Sequence, residues 1–372
     1  MFMQALPGFR DFLPDDCAAR NYVFARWREV AMRPELTPTL ARVVAVHERE
    51  FKKPLKWFSI GQFFRYEKQQ RGRLREHFQL NCDIIGEANL AADIELMALC
   101  IDILRAFGFT DKDFVVRVSD RDFWTDFLRE KDISADRWDE LLQAIDKFGR
   151  EPREKTAEKL GKLADPVFAI LKSGGKSEKL ERLVDGLRAR GLADFVSIDV
   201  GIVRGLAYYT GIVFEVFDRA GKFRAIAGGG RYDNLIAQLS DGAVSMPALG
   251  FAMGDVVLGE LINETAHVRQ KLENAIANSR KIDIYVVIAK EQRRADALGQ
   301  IQQLRDRGYR VDHPLTSEKV GKQFQIAEQL GARVAVLFGD EWPQLKLKDM
   351  SSGEQHLVSK DDFMSDVEST LR

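Results

Sequence analysis

The sequence predicts an α+β fold, a mostly antiparallel sheet with flanking helices and a helical insertion, followed by a small C-terminal α/β domain. Three observations carry this. Strand-like segments stand on both sides of a block dense in Lys, Glu, Asp and Leu. Apolar spacing changes from alternating to helical and back across that block. The C-terminal part then alternates strand and helix patterns.

In chain order, residues 18–30 have the apolar spacing of one short helix. RPELTPT (residues 33–39) is a proline-constrained turn entering a helix, with Thr37 or Thr39 placed to cap it. WFSIGQFFRYE, a polar basic stretch and then FQLNCDII read as two strands joined by a long charged loop, with residues 58–65 antiparallel to 78–85. Residues 91–107 form an amphipathic helix ending at Gly108, which suits a C-cap. Residues 120–194 show helical periodicity, interrupted at Ser173-Gly174-Gly175, and read as an all-helical insertion. Strand signals return in FVSIDVGIV, YYTGIVFEVF, FRAIAGG and ALGFAMG, so residues 1–119 and 195–264 belong to one sheet. A charged helical linker, residues 265–280, leads to IDIYVVI, a helix through Arg305, YRVD, a helix over 324–330, and ARVAVLF. Residues 281–372 are thus expected as a separate α/β domain.

A chain of 372 residues, 45% hydrophobic and 30% charged, can bury a sizeable core. Its 56 basic and 57 acidic side chains leave a net charge of -1, so nucleic acid is neither advertised nor excluded by a global field. Cys17, Cys82 and Cys100 have no CxxC spacing, which argues against zinc or a disulfide framework and fits a reducing cytoplasmic setting. The start, MFMQALPGFRDFLPDD, lacks the pattern of a signal peptide. No apolar run reaches the ~18 residues of a membrane span.

Between Arg65 and Glu76, five basic side chains (Arg65, Lys68, Arg71, Arg73, Arg75) face only Glu67 and Glu76. Guanidinium groups grip phosphate oxygens bidentately, so this loop suits a triphosphate or an RNA end; a solvated hairpin tip would look the same. RGLAYYTG (204–211) sets an arginine and two tyrosines between strand-like segments, and such a cation needs either a ligand anion or a structural ion pair. GGGRYD (228–233) lets backbone approach a ligand closely, or is a plain glycine loop, and it is neither a Walker loop nor GxGxxG. PALGFAMG (247–254) reads as an apolar strand leading into Asp255, a possible N-cap. Its glycines leave room for a flat ring, although a core strand explains them too.

The order RPELTPTLAR, FRYEKQQRGRLREHFQ, RGLAYYTGIVFE, GGGRYDNL, ALGFAMG resembles the motif set of the histidine-tRNA ligases, which are class II aminoacyl-tRNA synthetases. GKQFQIAEQLGARVAVLFG with LKLKDMSSGEQ resembles that family's anticodon-binding domain. The resemblance implies that residues 1–119 and 195–264 form a class II synthetase-like catalytic domain, activating histidine with ATP and charging tRNA(His) in the cytoplasm as a homodimer. By matching position, it implies Arg65 and Arg204 at the α-phosphate as the catalytic arginines. Glu67 would face the adenine, and Arg73 would serve ATP or, with Arg71 and Arg75, the tRNA acceptor end. Glu35, Thr37, Gln79 and Asp83 would surround the amino end of histidine, and Tyr209 and Tyr232 its imidazole. ATP would arrive with Mg²⁺, without a fixed protein metal site.

The chain departs from the family at three places. Val257 stands where an arginine grips the γ-phosphate, Ala207 replaces the aspartate of RGLDYYTG, and several dozen residues before RPE have no counterpart. The alternative is a non-catalytic histidine-binding relative, such as the regulatory subunit of ATP phosphoribosyltransferase. That relative generally lacks the C-terminal domain.

Overall fold

The computed structural model describes residues 36–64, 74–148, 151–204 and 208–370. It divides into two units, Met1–Arg269 and Gln270–Arg372. In the first, the order is α1 (Thr37–Val46), β1 (Leu55–Phe64), β2 (Glu76–Ile85), α2 (Leu90–Phe107), β3 (Phe114–Asp120), then the helical block. That block comprises α3 (Arg121–Glu130), α4 (Trp138–Asp146), α5 (Arg153–Leu160), α6 (Ala164–Ser173) and α7 (Glu178–Arg188). There follow β4 (Val196–Ile198), β5 (Thr210–Asp218), β6 (Ala227–Arg231), α8 (Leu235–Leu239), β7 (Ala248–Gly254) and α9 (Asp255–Glu264).

The seven strands form one sheet in the order β1-β2-β7-β6-β5-β3-β4, antiparallel except for the parallel pair β3–β4. Strands from before and after the helical block therefore share a sheet. Phe58 pairs with Cys82 in the β1–β2 hairpin. Asn89 caps α2 by accepting from the Ala91 N–H at 2.9 Å, and Gly108 ends it at φ +110°. The block is not a detached lobe. Trp124, Leu142, Leu163, Val167 and Leu183 lie in one apolar cluster with Val116, Phe214 and Phe251 of the sheet. Each such side chain contributes roughly 1.5–3 kcal/mol when fully buried.

Some local expectations fail for identifiable reasons. The strand in FVSIDVGIV stops at Ile198, because the Asp199 carboxylate accepts from the Gly201 N–H and turns the chain. FRAIAGG becomes strand only from Ala227, since Asp218 accepts from the amides of Lys222 and Phe223. Neither Thr37 nor Thr39 caps α1, which opens on Leu36 with proline in its first turn. Asp255 does not cap α9 either; it accepts from the Phe78 N–H at 3.0 Å and ties that helix to β2.

The helix α10 (Ala266–Arg280) precedes the second sheet. That unit contains β8 (Ile284–Ile288), α11 (Arg294–Asp306), β9 (Val311–Asp312), α12 (Val320–Gln329), β10 (Val334–Phe338), β11 (Gln344–Asp349), β12 (Gln355–Ser359), α13 (Lys360–Ser365) and α14 (Val367–Thr370). Strand order is β12-β11-β10-β8-β9, with β8 parallel to both its neighbours and the β10–β11–β12 edge antiparallel. The β11–β12 hairpin falls on LKLKDMSSGEQ, where Asp349 accepts from the amides of Ser351 and Ser352. Gln323 is fully buried and bonds both the N–H and the C=O of Ile288, stapling α12 to the end of β8.

Among the described residues no helix is long and apolar enough to cross a membrane. Cys82 and Cys100 are buried and free, and burial, with Asp83 beside it, pushes the Cys82 thiol up to about 11. Cys17 lies outside the described residues.

Candidate active site

The register of the first sheet builds a floor before any side chain is considered. Directly opposed residues share a face of the sheet. Gln79, Asn81 and Asp83 of β2 pair with Gly254, Ala252 and Gly250 of β7. Gly228 and Gly230 of β6 face Ala252 and Gly250, and Gly228 also pairs with Glu215 of β5. One face therefore carries a polar row on β2 and an acid on β5, with only glycine and alanine between them.

The small residues make room for functional side chains. A Cβ on Gly250 would collide with the Asp83 carboxylate, and one on Gly228 with the Arg204 guanidinium. The glycines of GGGRYD thus lie in a strand and admit protein side chains, which neither the ligand-approach nor the loop reading anticipates. Gly229 and Gly230 face the backbone of neighbouring strands.

At one end of the floor, the Tyr232 hydroxyl donates to Asp83 Oδ1 at 2.7 Å, with both residues buried. Burial raises the Asp83 carboxyl from its ordinary range to about 6, partly opposed by this hydrogen bond. Tyr232 is set by its neighbour Arg231, whose Nη2 meets Asp93 Oδ2 at 2.6 Å and whose two Nη atoms also donate to the carbonyls of Glu87 and Asn89. The Tyr208 ring bridges onward, 6.3 Å from that of Tyr232 and 4.9 Å from that of Tyr209. At the far end, the Arg204 guanidinium lies 5.0 Å from the Tyr209 ring centroid.

Arg204 is half held. Its Nη1 reaches the Phe214 carbonyl at 3.4 Å and Glu215 Oε1 at 3.5 Å, both long contacts. Its buried Nε finds no acceptor among the described residues. Buried donors are nearly always satisfied, so this Nε is left to take an acceptor that the described residues do not supply.

Of the residues singled out in the sequence, Gln79, Asp83, Arg204, Tyr209 and Tyr232 line this face or its rim. Thr37 opens α1, and exposed Arg75 stands just before β2. Glu35, Arg65, Glu67, Arg71, Arg73 and Ala207 lie outside the described residues. Val257 is buried in the main apolar cluster, so this position of α9 offers no charge to a phosphate. Sequence reasoning overlooked the Asp93 partner of Arg231, although an acid in the first turn of an apolar helix was the available signal.

A pH test isolates Asp83. Its folded pKa of about 6 lies above the ordinary 3.8, so the folded chain holds a proton that the unfolded chain releases between those values. Above pH 6 the buried carboxylate subtracts about 3 kcal/mol of stability, and the penalty fades as pH falls toward 4. Asp83→Asn keeps an acceptor for Tyr232 and is expected to melt several degrees above the parent at pH 8, with the two curves converging near pH 4. An equal gain at both pH values in thermal denaturation would refute the assignment.

A family model described as histidyl-tRNA synthetase matches residues 24–255, and an anticodon-binding domain model matches residues 283–370. The chain belongs to the histidyl-tRNA synthetase family. It is 36% identical to the histidine–tRNA ligase of Opitutus terrae, covering 98% of each chain, and 36% identical to the chloroplastic/mitochondrial ligase of Arabidopsis thaliana, covering 90% of this chain and 72% of that one. The Opitutus alignment runs over 437 positions against 372 residues here, so that relative carries stretches with no counterpart in this synthetase-family chain. The crystal structure of histidyl-tRNA synthetase from Nostoc superposes with a TM-score of 0.69 at 25% identity, covering 90% of this chain and 83% of that one. An apo S. aureus histidyl-tRNA synthetase shares the fold at a TM-score of 0.63 and 21% identity, covering 98% and 99%. The fold is thus that of a class II synthetase with its C-terminal anticodon-binding domain, in a family that uses ATP and binds histidine and tRNA.

Proposed function

We propose that this chain activates histidine with ATP and transfers it to tRNA(His). The carrying observation is Arg204, whose side chain is 18% exposed and whose Nε has no acceptor among the described residues, at one end of a glycine floor whose other end holds the Asp83 carboxylate. A histidine carboxylate oxygen attacks the α-phosphorus in line, the bond to the β-phosphate bridging oxygen breaks, and histidyl-adenylate and pyrophosphate result. Charge building on the α-phosphate oxygens would meet the guanidinium groups of Arg204 and Arg65. Asp83, Gln79, Thr37 and Glu35 receive the amino end of histidine, while Tyr209 and Tyr232 address its imidazole. ATP would enter as its Mg²⁺ complex, the ion supplying positive charge against the phosphates. Glu67 faces the adenine. With Val257 apolar, the pyrophosphate end relies on Arg73. Arg71, Arg73 and Arg75 also approach the tRNA acceptor end.

Residues 1–119 and 195–264 then act as the catalytic domain around the 120–194 insertion, and 281–372, after the 265–280 linker, reads the anticodon. The anticodon-domain match over 283–370 favours this over a regulatory histidine-binding role. A homodimer in the cytoplasm completes the proposal. The dimer, not the location, draws support from Phe58 and Ile60 on the edge strand β1, 75% and 70% exposed, with half-exposed Phe78 nearby.

The test is histidine-dependent ATP–pyrophosphate exchange followed by charging of tRNA(His), with sedimentation for the oligomer. Histidine binding without exchange would replace the ligase with a binding protein.

A further inference from the structure

We propose that Arg121 and Asp146, both from the helical block, are positioning residues that set the backbone of Arg204 and so aim its guanidinium. The inference rests on the reading of Arg204 given above. Arg204 sits at φ +57°, a left-handed conformation that a residue with a side chain holds only where its surroundings impose it. Here the surroundings are two side chains of opposite charge. Asp146, the last residue of α4, accepts through Oδ1 from the N–H of Val203 at 3.3 Å and of Arg204 at 2.9 Å. Arg121, the first residue of α3 and buried, donates through Nη1 to the carbonyls of Val203 at 3.1 Å and Arg204 at 3.0 Å. Its Nη2 also stands 3.8 Å from Asp139 on α4.

Both amides and both carbonyls of Val203 and Arg204 are thereby committed to charged partners outside the sheet. Charge-assisted hydrogen bonds are the stronger kind. The Arg204 side chain, in contrast, makes long contacts to Phe214 and Glu215 and lies over the Tyr209 ring among the described residues. A residue with a tightly fixed main chain and a loosely tethered side chain is built to present that side chain. The clamp also explains why a helical block would share its core with the sheet: a shift of α3 or α4 moves the reacting arginine.

The test compares Asp146→Asn and Arg121→Lys, each in the parent and in the Arg204→Ala background, by steady-state pyrophosphate exchange in the full chain at raised enzyme concentration. Misplacement by about 1 Å can cost ~10² in rate, so each single variant is expected to lose about 10–100-fold in kcat, with KM for histidine within about twofold. In the Arg204→Ala background the further loss should stay below about twofold, since no guanidinium remains to be aimed. Amide exchange of peptides spanning 200–204, read by mass spectrometry, should quicken in both variants. Equal losses in the two backgrounds, unchanged kcat in the single variants, or failure of both to fold would assign the pair a purely structural role and overturn the proposal. Wild-type kcat in Arg204→Ala alone would instead bring down the reading of Arg204, and this proposal with it.

Discussion

Arg204→Ala is expected to lower histidine-dependent pyrophosphate exchange by about 10²–10³-fold, the usual effect of removing one fixed donor from a developing oxyanion. The fold should survive. From the sequence alone the residue reads as a core-edge cation that needs either a ligand anion or a structural ion pair, and the structure supplies one acidic neighbour. Glu215 lies 3.5 Å away at 15% side-chain exposure, and losing this charged contact costs on the order of 1 kcal/mol. The two effects separate by temperature. Assayed well below the melting transition, the variant stays folded and the rate loss persists, while binding of tRNA changes little. An activity loss that tracks the unfolded fraction would mean that Arg204 is an internal strut.

Much of this arrangement is legible in the sequence because its strongest signals are local. The β1–β2 hairpin, the helix ending at Gly108 and the helical block follow from apolar periodicity, with the glycine C-cap marking one helix end. What escaped depends on contacts between segments far apart in the chain. Nothing in GGGRYD tells a reader that Gly228 makes way for a guanidinium 24 positions earlier, or that Arg231 finds Asp93 on α2. Asp218 and Asp199 shorten strands by capping turns, and their acceptor role competes with a β pattern that looks unbroken. The β11–β12 hairpin was missed because alternating leucine and lysine beside a serine turn also suits a polar tail. The clamp on Arg204 is the extreme case, joining residues 121 and 146 to 204. Each partner alone looks like one more charge on a solvated helix.

Removing residues 281–372 is expected to leave pyrophosphate exchange within about threefold of the parent while charging of tRNA(His) falls by at least ~100-fold. The physical ground is that each unit closes its own core. Ile284, Val286, Ile301, Phe338 and Leu345 form one cluster of the second unit, whereas the first unit is built on residues up to Val268. Every residue proposed to receive histidine or ATP belongs to the first unit, so the activation chemistry is expected to keep its parts after truncation. Recognition of tRNA does not. A hundredfold loss corresponds to about 2.7 kcal/mol of binding, a modest share of what a separate RNA-reading domain contributes. The cut after Arg280 spares α10 and falls where the next strand has not begun. The readouts are initial rates of exchange and of charging on the same preparation, with a melting curve to show that the first unit is folded. Charging that survives the cut would strip residues 281–372 of the anticodon role and place tRNA selection in the catalytic unit, with the 120–194 helices as the next surface to test.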